Sequence, residues 1–275
     1  MTATAPITTD SSGPSAAVVD VTPDLARLWL RDNTHNRKLR ERAVNDYARD
    51  MAAGHWALNG EAIKFATDGT VLDGQHRLHA VVKAGVTVSM LVVTGLPPSA
   101  QDTMDSGRKR TTGDVMGLRN EANAPTLAAI LRRVWLWNQG NHRLKGRETP
   151  TTAECAALLA AHPELRRSAE IATRVRNVFP HIPQSVLGTA HHLFNTIDPD
   201  LTAVFFQRLA DGAELPLGHP ILALRARVTS ERLDNVRMSE DRHLAYLIRT
   251  WNAVRDGRDL GRLVHNSSSP MPTPK

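Results

Sequence analysis

The architecture of the first part of the chain follows from residues 62–94, AIKFATDGTVLDGQHRLHAVVKAGVTVSMLVVT. Their pattern predicts two short strands joined by an Asp-Gly turn, then a helix, then a buried β-branched strand, at residues 62–65, 71–72, 75–84 and 86–94. Gly85 follows the helix and supplies its stop. The order strand, strand, helix, strand indicates an α+β fold with a small mixed sheet.

Two helices are predicted upstream of this stretch. Thr22-Pro23-Asp24 is an N-cap followed by Pro at the first helical position and an acid in the first turn, which starts a short helix through Trp29. A second helix is expected from about Lys38, and Gly54 ends it. Residues 1–20 are rich in Thr, Ser, Ala and Pro and are expected to be disordered.

Beyond Pro97-Pro98 the pattern is helical throughout, and it predicts an all-α C-terminal domain. The domain boundary falls in the interval 96–125, and we divide the chain into residues 21–118, 119–264 and a disordered tail, 265–275. The helices are expected near residues 99–105, 125–139, 151–161, 163–177, 184–196, 200–211, 218–228 and 240–256.

Composition limits the classes of protein that fit. The chain has 275 residues, a formal charge of +6 and a single cysteine, Cys155, which excludes a disulfide framework and a cysteine-based zinc site. No apolar run is long enough to cross a bilayer, and the first residues do not resemble a secretory leader. We therefore expect a cytoplasmic protein with no membrane partner.

Basic residues are concentrated in one segment. Residues 108–147 hold nine Lys and Arg against two acids, an excess of +7 that is larger than the excess of the whole chain. Such a segment suits a polyanionic partner, and DNA is the one we expect. The alternative is a solvated basic face with no ligand.

The motif that carries chemistry is Asp73-Gly74-Gln75-His76-Arg77. The N–H groups at a helix N-terminus attract anions, a glycine lets an anion approach the backbone, and an arginine adds donors for phosphate oxygens. The alternative is structural: Asp73 as the N-cap, Gly74 as a turn residue and Arg77 as a surface arginine. Composition alone does not separate these two interpretations.

A resemblance separates them. Asp73-Gly-Gln-His-Arg-Leu-His-Ala80, followed by Val-Val-Lys-Ala-Gly, resembles the Gly-x-x-Arg-x-x-Ala box of ParB-type partition proteins and the Gly-Cys-His-Arg loop of sulfiredoxins. The stretch from Asn36-Arg37 through Tyr47-Ala48-x-Asp50-Met51-x-x-Gly54-x-Trp56 to this box is similar to phage- and actinobacteria-type proteins classed as ParB-like nuclease domains. The resemblance covers roughly residues 20–115.

The resemblance implies a ParB/sulfiredoxin-like N-terminal domain that binds the phosphates of a nucleotide through Gly74, Gln75, His76 and Arg77. Two departures limit what carries over. Gln75 stands where sulfiredoxins have a nucleophilic cysteine, so sulfinic-acid repair is not expected. ParB proteins commonly have Glu there, and a neutral glutamine cannot act as a general base for nucleotide hydrolysis.

A second group follows the last predicted strand, Met104-Asp105-Ser106-Gly107-Arg108-Lys109-Arg110. Its Asp-x-Gly-x-x-Arg pattern resembles the same proteins. Asp105 is a candidate metal ligand or base beside Asp73, and Arg108 and Arg110 are candidates for gripping phosphate; otherwise the segment is a basic linker. Asn36 and Arg37 are further candidates for ligand contact.

Three functions remain open. The first is a nucleotide-binding, DNA-associated ParB-like protein. The second is a metal-dependent nuclease or phosphoryl-transfer enzyme in which Asp73 and Asp105 place Mg²⁺ against a phosphate. The third is a non-catalytic regulator in a phage or DNA-modification system. A nucleoside triphosphate and Mg²⁺ are the cofactors these interpretations imply.

His191-His192 lacks a third ligand at metal spacing, so we interpret the pair as ordinary core or surface histidines and predict no metal site at this pair. We also expect Gly74, His76 and Arg77 to line a concave, electropositive site near Asp105 or Arg108. An Arg77 locked in a buried ion pair that points away from the helix N-terminus would contradict this expectation.

Overall fold

The computed structural model describes residues 13–31, 39–104, 111–143, 148–236, 238–266 and 269–275. The chain divides into two compact units, Met1–Lys109 and Arg110–Lys275. This boundary lies inside the interval predicted from the sequence. It falls before the helix Thr112–Leu118, which therefore belongs to the second unit and not to the end of the first.

The first unit is α+β, with a four-stranded mixed sheet. Its strands are β1 (Ser15–Val21), β2 (Ala62–Ala66), β3 (Val71–Asp73) and β4 (Val88–Leu96). Its helices are α1 (Pro23–Leu30), α2 (Glu41–Ala52) and α3 (Gln75–Ala84), and a 3₁₀ helix spans Pro98–Thr103. The sheet order is β1-β4-β2-β3, with β2 and β4 parallel and the two outer pairs antiparallel.

Strand β1 corrects the expectation of disorder for residues 15–20, whereas residues 1–12 of that expectation lie outside the described residues. It pairs with β4 along its whole length, from Ser15 opposite Thr94 to Val21 opposite Val88. Only Val21 of the strand is buried, so backbone pairing and β-branched side chains order it more than burial does. The prediction of disorder considered only how much apolar surface the segment could bury, and such an argument misses an exposed strand that is ordered by backbone pairing.

The core of the first unit forms where the helices cover the sheet. Leu78 and Val81 of α3 are completely buried, and Leu72 and Val92 of the sheet are 6% and 3% exposed, which confirms four positions predicted from the pattern. Trp56 was also expected to be mostly buried; it is only partly exposed, packs against this core and lies edge-on to Tyr47, in agreement with the prediction. The helix that carries the Asp-Gly-Gln-His-Arg box is thus anchored along its inner face.

The second unit is built from helices, and its described residues contain no strand. Among the described residues no helix is both long and apolar enough to cross a membrane. The helices are α4 (Thr112–Leu118), α5 (Ala124–Asn138), α6 (Thr152–Ala161), α7 (Leu165–Val178), α8 (Gln184–Asn195), α9 (Pro199–Asp211), α10 (Pro220–Leu233) and α11 (Glu240–Arg255).

Helix α4 was not predicted, because its seven residues include two glycines, which weaken the helical pattern. A capping box starts it. Thr111 Oγ1 accepts from the backbone N–H of Asp114, and the Asp114 carboxylate accepts from the backbone N–H of Thr111. The same device starts α6 at Thr151 and Glu154.

The C-terminal tail, expected to be disordered over 265–275, lies against α11 where it is described. Asn252 bonds to it on both sides, donating from Nδ2 to the carbonyl of Thr273 and accepting at Oδ1 from the Lys275 N–H. The indole N–H of Trp251 donates to the Lys275 carbonyl at 3.1 Å. Polar side chains of a helix thus order a segment that has few apolar residues of its own.

Candidate functional site

The hairpin of β2 and β3 sets the position of Asp73. Lys64 and Asp73 are directly opposed in the antiparallel register, so their side chains lie on the same face of the hairpin. Lys64 Nζ donates to Asp73 Oδ2 at 3.3 Å, and both side chains are partly buried. The acidic residue of the box therefore has a cationic partner before the helix begins.

Gly74 turns the chain from β3 into α3. Its φ of 106° is left-handed, and a Cβ here would lie 2.5 Å from Ile63 Cδ1 and 3.2 Å from Ile63 Cα. A glycine is therefore required by backbone conformation and by close packing. Gly74 itself is the N-cap of α3, so the interpretation of Asp73 as the capping residue is wrong.

Arg77 reaches back from the first turn of α3 to the residue that precedes the cap. Its Nη2 donates to Asp73 Oδ2 at 3.2 Å, and the residue is only 8% exposed. The guanidinium is thus in a buried ion pair, but the pair lies beside the helix N-terminus and does not point away from it. Nη1 is buried and has no hydrogen-bond partner among the described residues.

The charges of this group are unbalanced. Asp73 Oδ2 accepts from both Lys64 and Arg77, so two cations share one carboxylate and the group carries a formal +1. Asp73 therefore positions Arg77, and a divalent cation bound at Asp73 would lie beside two cationic groups that already contact Oδ2. Within the described part of the chain, Asp73 belongs to no three-residue group that could hold a metal ion.

His76 contacts another helix. Its Nε2 accepts from the backbone N–H of Arg40 at 3.0 Å, and Arg40 is the N-cap residue of α2. Nε2 therefore carries a lone pair, and the ring proton of the neutral His76 is on Nδ1. The bond holds the N-termini of α2 and α3 next to each other, so their positive ends lie together.

Two side chains of the box are buried and are not on the protein surface. Gln75 is 6% exposed, close to the value for Arg77, whereas Asp73 and His76 are partly exposed. The Gln75 side chain is therefore part of the packed interior. Asp73 and His76 mark the side of the box that faces solvent.

Several predicted site residues lie outside the described residues: Asn36, Arg37, Asp105, Arg108 and Arg110. Their proximity to the box stays a prediction, as does the expected concave shape of the site. The residues that the structure brings together are Asp73, Gly74, Gln75, His76 and Arg77, with Lys64 and the backbone of Arg40 added to them.

The basic segment 108–147 is described in part. Arg119, Arg132 and Arg143 are exposed. Arg133 is 8% exposed and is ion-paired with Glu240, and burial lowers its pKa to about 10. Arg133 is therefore a structural residue of the second unit and is not available to an external polyanion.

Sequence reasoning missed Lys64 and Arg40. A signal for Lys64 was present, because it is the one charged residue in the apolar strand Ala62–Ala66 and stands opposite the box in the hairpin. Arg40 contributes only its backbone N–H, so no side-chain pattern could have marked it.

Comparisons with protein-family models, with curated proteins and with solved structures found no match for this chain. The α+β fold rests on the observed helices and the four-stranded sheet. The ParB-like assignment stays a prediction from the sequence pattern.

Proposed function

We propose that this chain is a ParB-like protein whose first unit binds the phosphates of a nucleotide at the N-terminus of α3 and whose second unit associates with DNA. The observation that carries the proposal is Nη1 of Arg77, which lies buried beside that N-terminus and has no hydrogen-bond partner in the part of the chain that the structure describes. A buried guanidinium nitrogen without an acceptor is costly to leave, and a phosphate oxygen would satisfy it.

The charge of the group supports an anionic ligand. Lys64 and Arg77 share Asp73, and the formal +1 that remains would be neutralised by a phosphate. The adjacent N-termini of α2 and α3, joined through His76 and Arg40, add positive partial charge from two helices. These features favour the functional interpretation of the box, although Gly74 has a structural reason of its own.

The test is equilibrium binding of the four nucleoside triphosphates to the full chain, with and without Mg²⁺. Arg77→Met keeps much of the side-chain volume and removes the charge. We expect it to weaken binding by about 10- to 150-fold, the loss of one charge-assisted hydrogen bond of roughly 1.5 to 3 kcal/mol. Arg27→Met is the matched control, because Arg27 is an exposed arginine of the same unit that pairs with Asp24 on α1.

Absence of nucleotide binding by the wild-type chain would contradict the proposal. An equal loss of nucleotide affinity in Arg77→Met and Arg27→Met would also contradict it, because Arg27 lies outside the box. Circular dichroism of both variants verifies that the fold survives.

The DNA association is tested by its dependence on salt. Each phosphate contact contributes about −0.9 to the slope of log K against log salt concentration. Arg119→Ala with Arg132→Ala removes two exposed cations of the basic segment and should make the slope less steep. Arg174→Ala is the control, because Arg174 already pairs with Glu170 on α7. A slope that is unchanged in the double variant would exclude this segment as the DNA-binding surface.

A further inference from the structure

A second group of side chains lies entirely within the second unit, where α6, α7 and α8 meet. His162 is the C-cap residue of α6, Glu164 is the N-cap residue of α7, and His192 lies near the end of α8. Each offers one donor atom, and the three donors all lie within 4.8 Å of one another. The tight connection between α6 and α7 places two of them two positions apart.

The buried position of the His192 imidazole is not explained by packing alone. It is 5% exposed, and its Nδ1 is buried with no hydrogen-bond partner among the described residues. Glu164 Oε1 lies 3.7 Å from this nitrogen, which is too long for a hydrogen bond. A buried imidazole nitrogen is therefore directed towards a carboxylate with a gap between them.

The neighbouring His191 shows the contrast. Its Nδ1 is hydrogen-bonded to Ser168 Oγ at 2.9 Å, and its ring packs against Phe206. For His191 the interpretation as an ordinary core histidine agrees with these contacts. For His192 the sequence offered no third ligand, because Glu164 and His162 lie about 30 residues away and come together only in the folded unit.

The donor separations approach those of a bound metal ion. Ligands at 2.0 to 2.1 Å in a tetrahedron are about 3.3 Å apart. His162 Nδ1 is 3.1 Å from Glu164 Oε1, and His192 Nδ1 is 3.7 Å from the same oxygen. The partly exposed side chains of His162 and Glu164 can close the remaining distance, while His192 is held by the packed helix.

We infer that His162, Glu164 and His192 bind one divalent transition-metal ion of the zinc type, with solvent completing the coordination. Two imidazoles and one carboxylate suit Zn²⁺ and similar ions, whereas Mg²⁺ and Ca²⁺ prefer oxygen donors alone. The side chains of His162 and Glu164 are 39% and 40% exposed, so one side of the site is open to water. This is the pattern of three protein ligands with an open fourth position.

The experiment is a titration of the full, untagged chain with Zn²⁺, followed by calorimetry, and with Co²⁺, followed by the visible absorption of tetrahedral cobalt. We expect one equivalent to bind with high affinity and the thermal unfolding midpoint to rise. Glu164→Gln and His162→Gln should each weaken binding by about 100-fold or more, because changes outside the ligand shell alone cost 10- to 100-fold.

Both variants change partly exposed side chains, so a well-folded protein remains for comparison. His55→Gln is the matched control, because His55 is an exposed histidine of the other unit. Failure of the wild-type chain to bind one equivalent of Zn²⁺ would overturn the inference. Equal affinity in wild type, Glu164→Gln and His162→Gln would also overturn it, as would preferential binding of Mg²⁺.

Discussion

The backbone N–H of Arg40 donates to Nε2 of His76 at 3.0 Å, although the two residues are 36 positions apart in the chain. Arg40 caps α2 with no side-chain hydrogen bond of its own, and His76 lies in the first turn of α3. His79, the other histidine of α3, makes no hydrogen bond to another helix within the described residues. His76 therefore connects the N-terminus of α2 with the N-terminus of α3.

Replacing His76 with alanine should loosen the start of α2. The lost hydrogen bond is worth about 0.5 to 1.5 kcal/mol in the free energy of unfolding, since Arg40 is exposed and water can replace part of the interaction. Amide hydrogen exchange should rise at the first turn of α2. His55→Ala, at an exposed histidine, should change neither quantity. Unaltered exchange at α2 in His76→Ala would show that the contact does not order that helix.

Gly74→Ala should cost much more stability than Gly85→Ala, although both glycines flank α3 with positive φ. At Gly74, φ is 106° and the new methyl group would meet Ile63, whereas at Gly85, φ is 70° and nothing lies within 4 Å. We expect about 1 kcal/mol for Gly85→Ala, from backbone strain alone, and roughly 2 to 4 kcal/mol for Gly74→Ala. Urea unfolding measures both, and equal losses would contradict the packing argument.

In the second unit, alanine in place of two helical glycines should change stability in opposite directions. A Cβ on Gly188 of α8 would overlap the side chain of Ile130 on α5, whereas a Cβ on Gly117 of α4 would meet nothing within 4 Å. Gly188→Ala should lower the free energy of unfolding by about 1 to 3 kcal/mol. Gly117→Ala should raise it by about 0.5 to 1 kcal/mol, because alanine favours a helix. A stabilising Gly188→Ala would mean that α5 and α8 are less closely packed than described.

The second unit should lose stability as the solution becomes acidic. Burial lowers the pKa of His243 below its usual 6.5, and hydrogen bonds to the carbonyls of Ser239 and His181 offset only part of this effect. The unfolded chain therefore takes up a proton first. The free energy of unfolding should fall as the pH drops through 6.5 towards the folded pKa, by at most about 1.4 kcal/mol per pH unit for this one group.

His243→Gln removes that contribution, so the variant should show a shallower decline in urea unfolding as the pH falls below about 6.5. Part of the decline should remain, because burial also lowers the pKa of His181 and His265. An identical slope in the variant and the wild type would exclude His243 as a source of the acid sensitivity.

The sequence predicts most elements of this fold because their signals are local. The run of residues 75–84 with Gly85 gives the helix α3, and eight further segments after Pro98 are found close to where the apolar spacing puts them. The elements it missed are those stabilised by partners: β1 by pairing with β4, and the C-terminal segment by Asn252 and Trp251. Short-range periodicity contains no information on such partners.

The same distinction applies to the two sites. The order Asp-Gly-Gln-His-Arg marks the start of α3 because all five residues are consecutive. Neither the pairing of Lys64 with Asp73 nor the meeting of His162 with His192 follows from spacing, because tertiary packing creates both. Burial of Arg77 was likewise not predicted, since an arginine in a first turn is usually solvated.

Strand β1 has a practical consequence for fragments of this protein. It pairs with one side of β4 from Val88 to Thr94, seven of the nine residues of that strand. A fragment that begins after Val21 would leave that row of amide and carbonyl groups open to water and to other chains. Open edges of long strands recruit strands from neighbouring molecules, so such a fragment should aggregate even if its core is intact. A soluble version of the first unit must therefore retain Ser15.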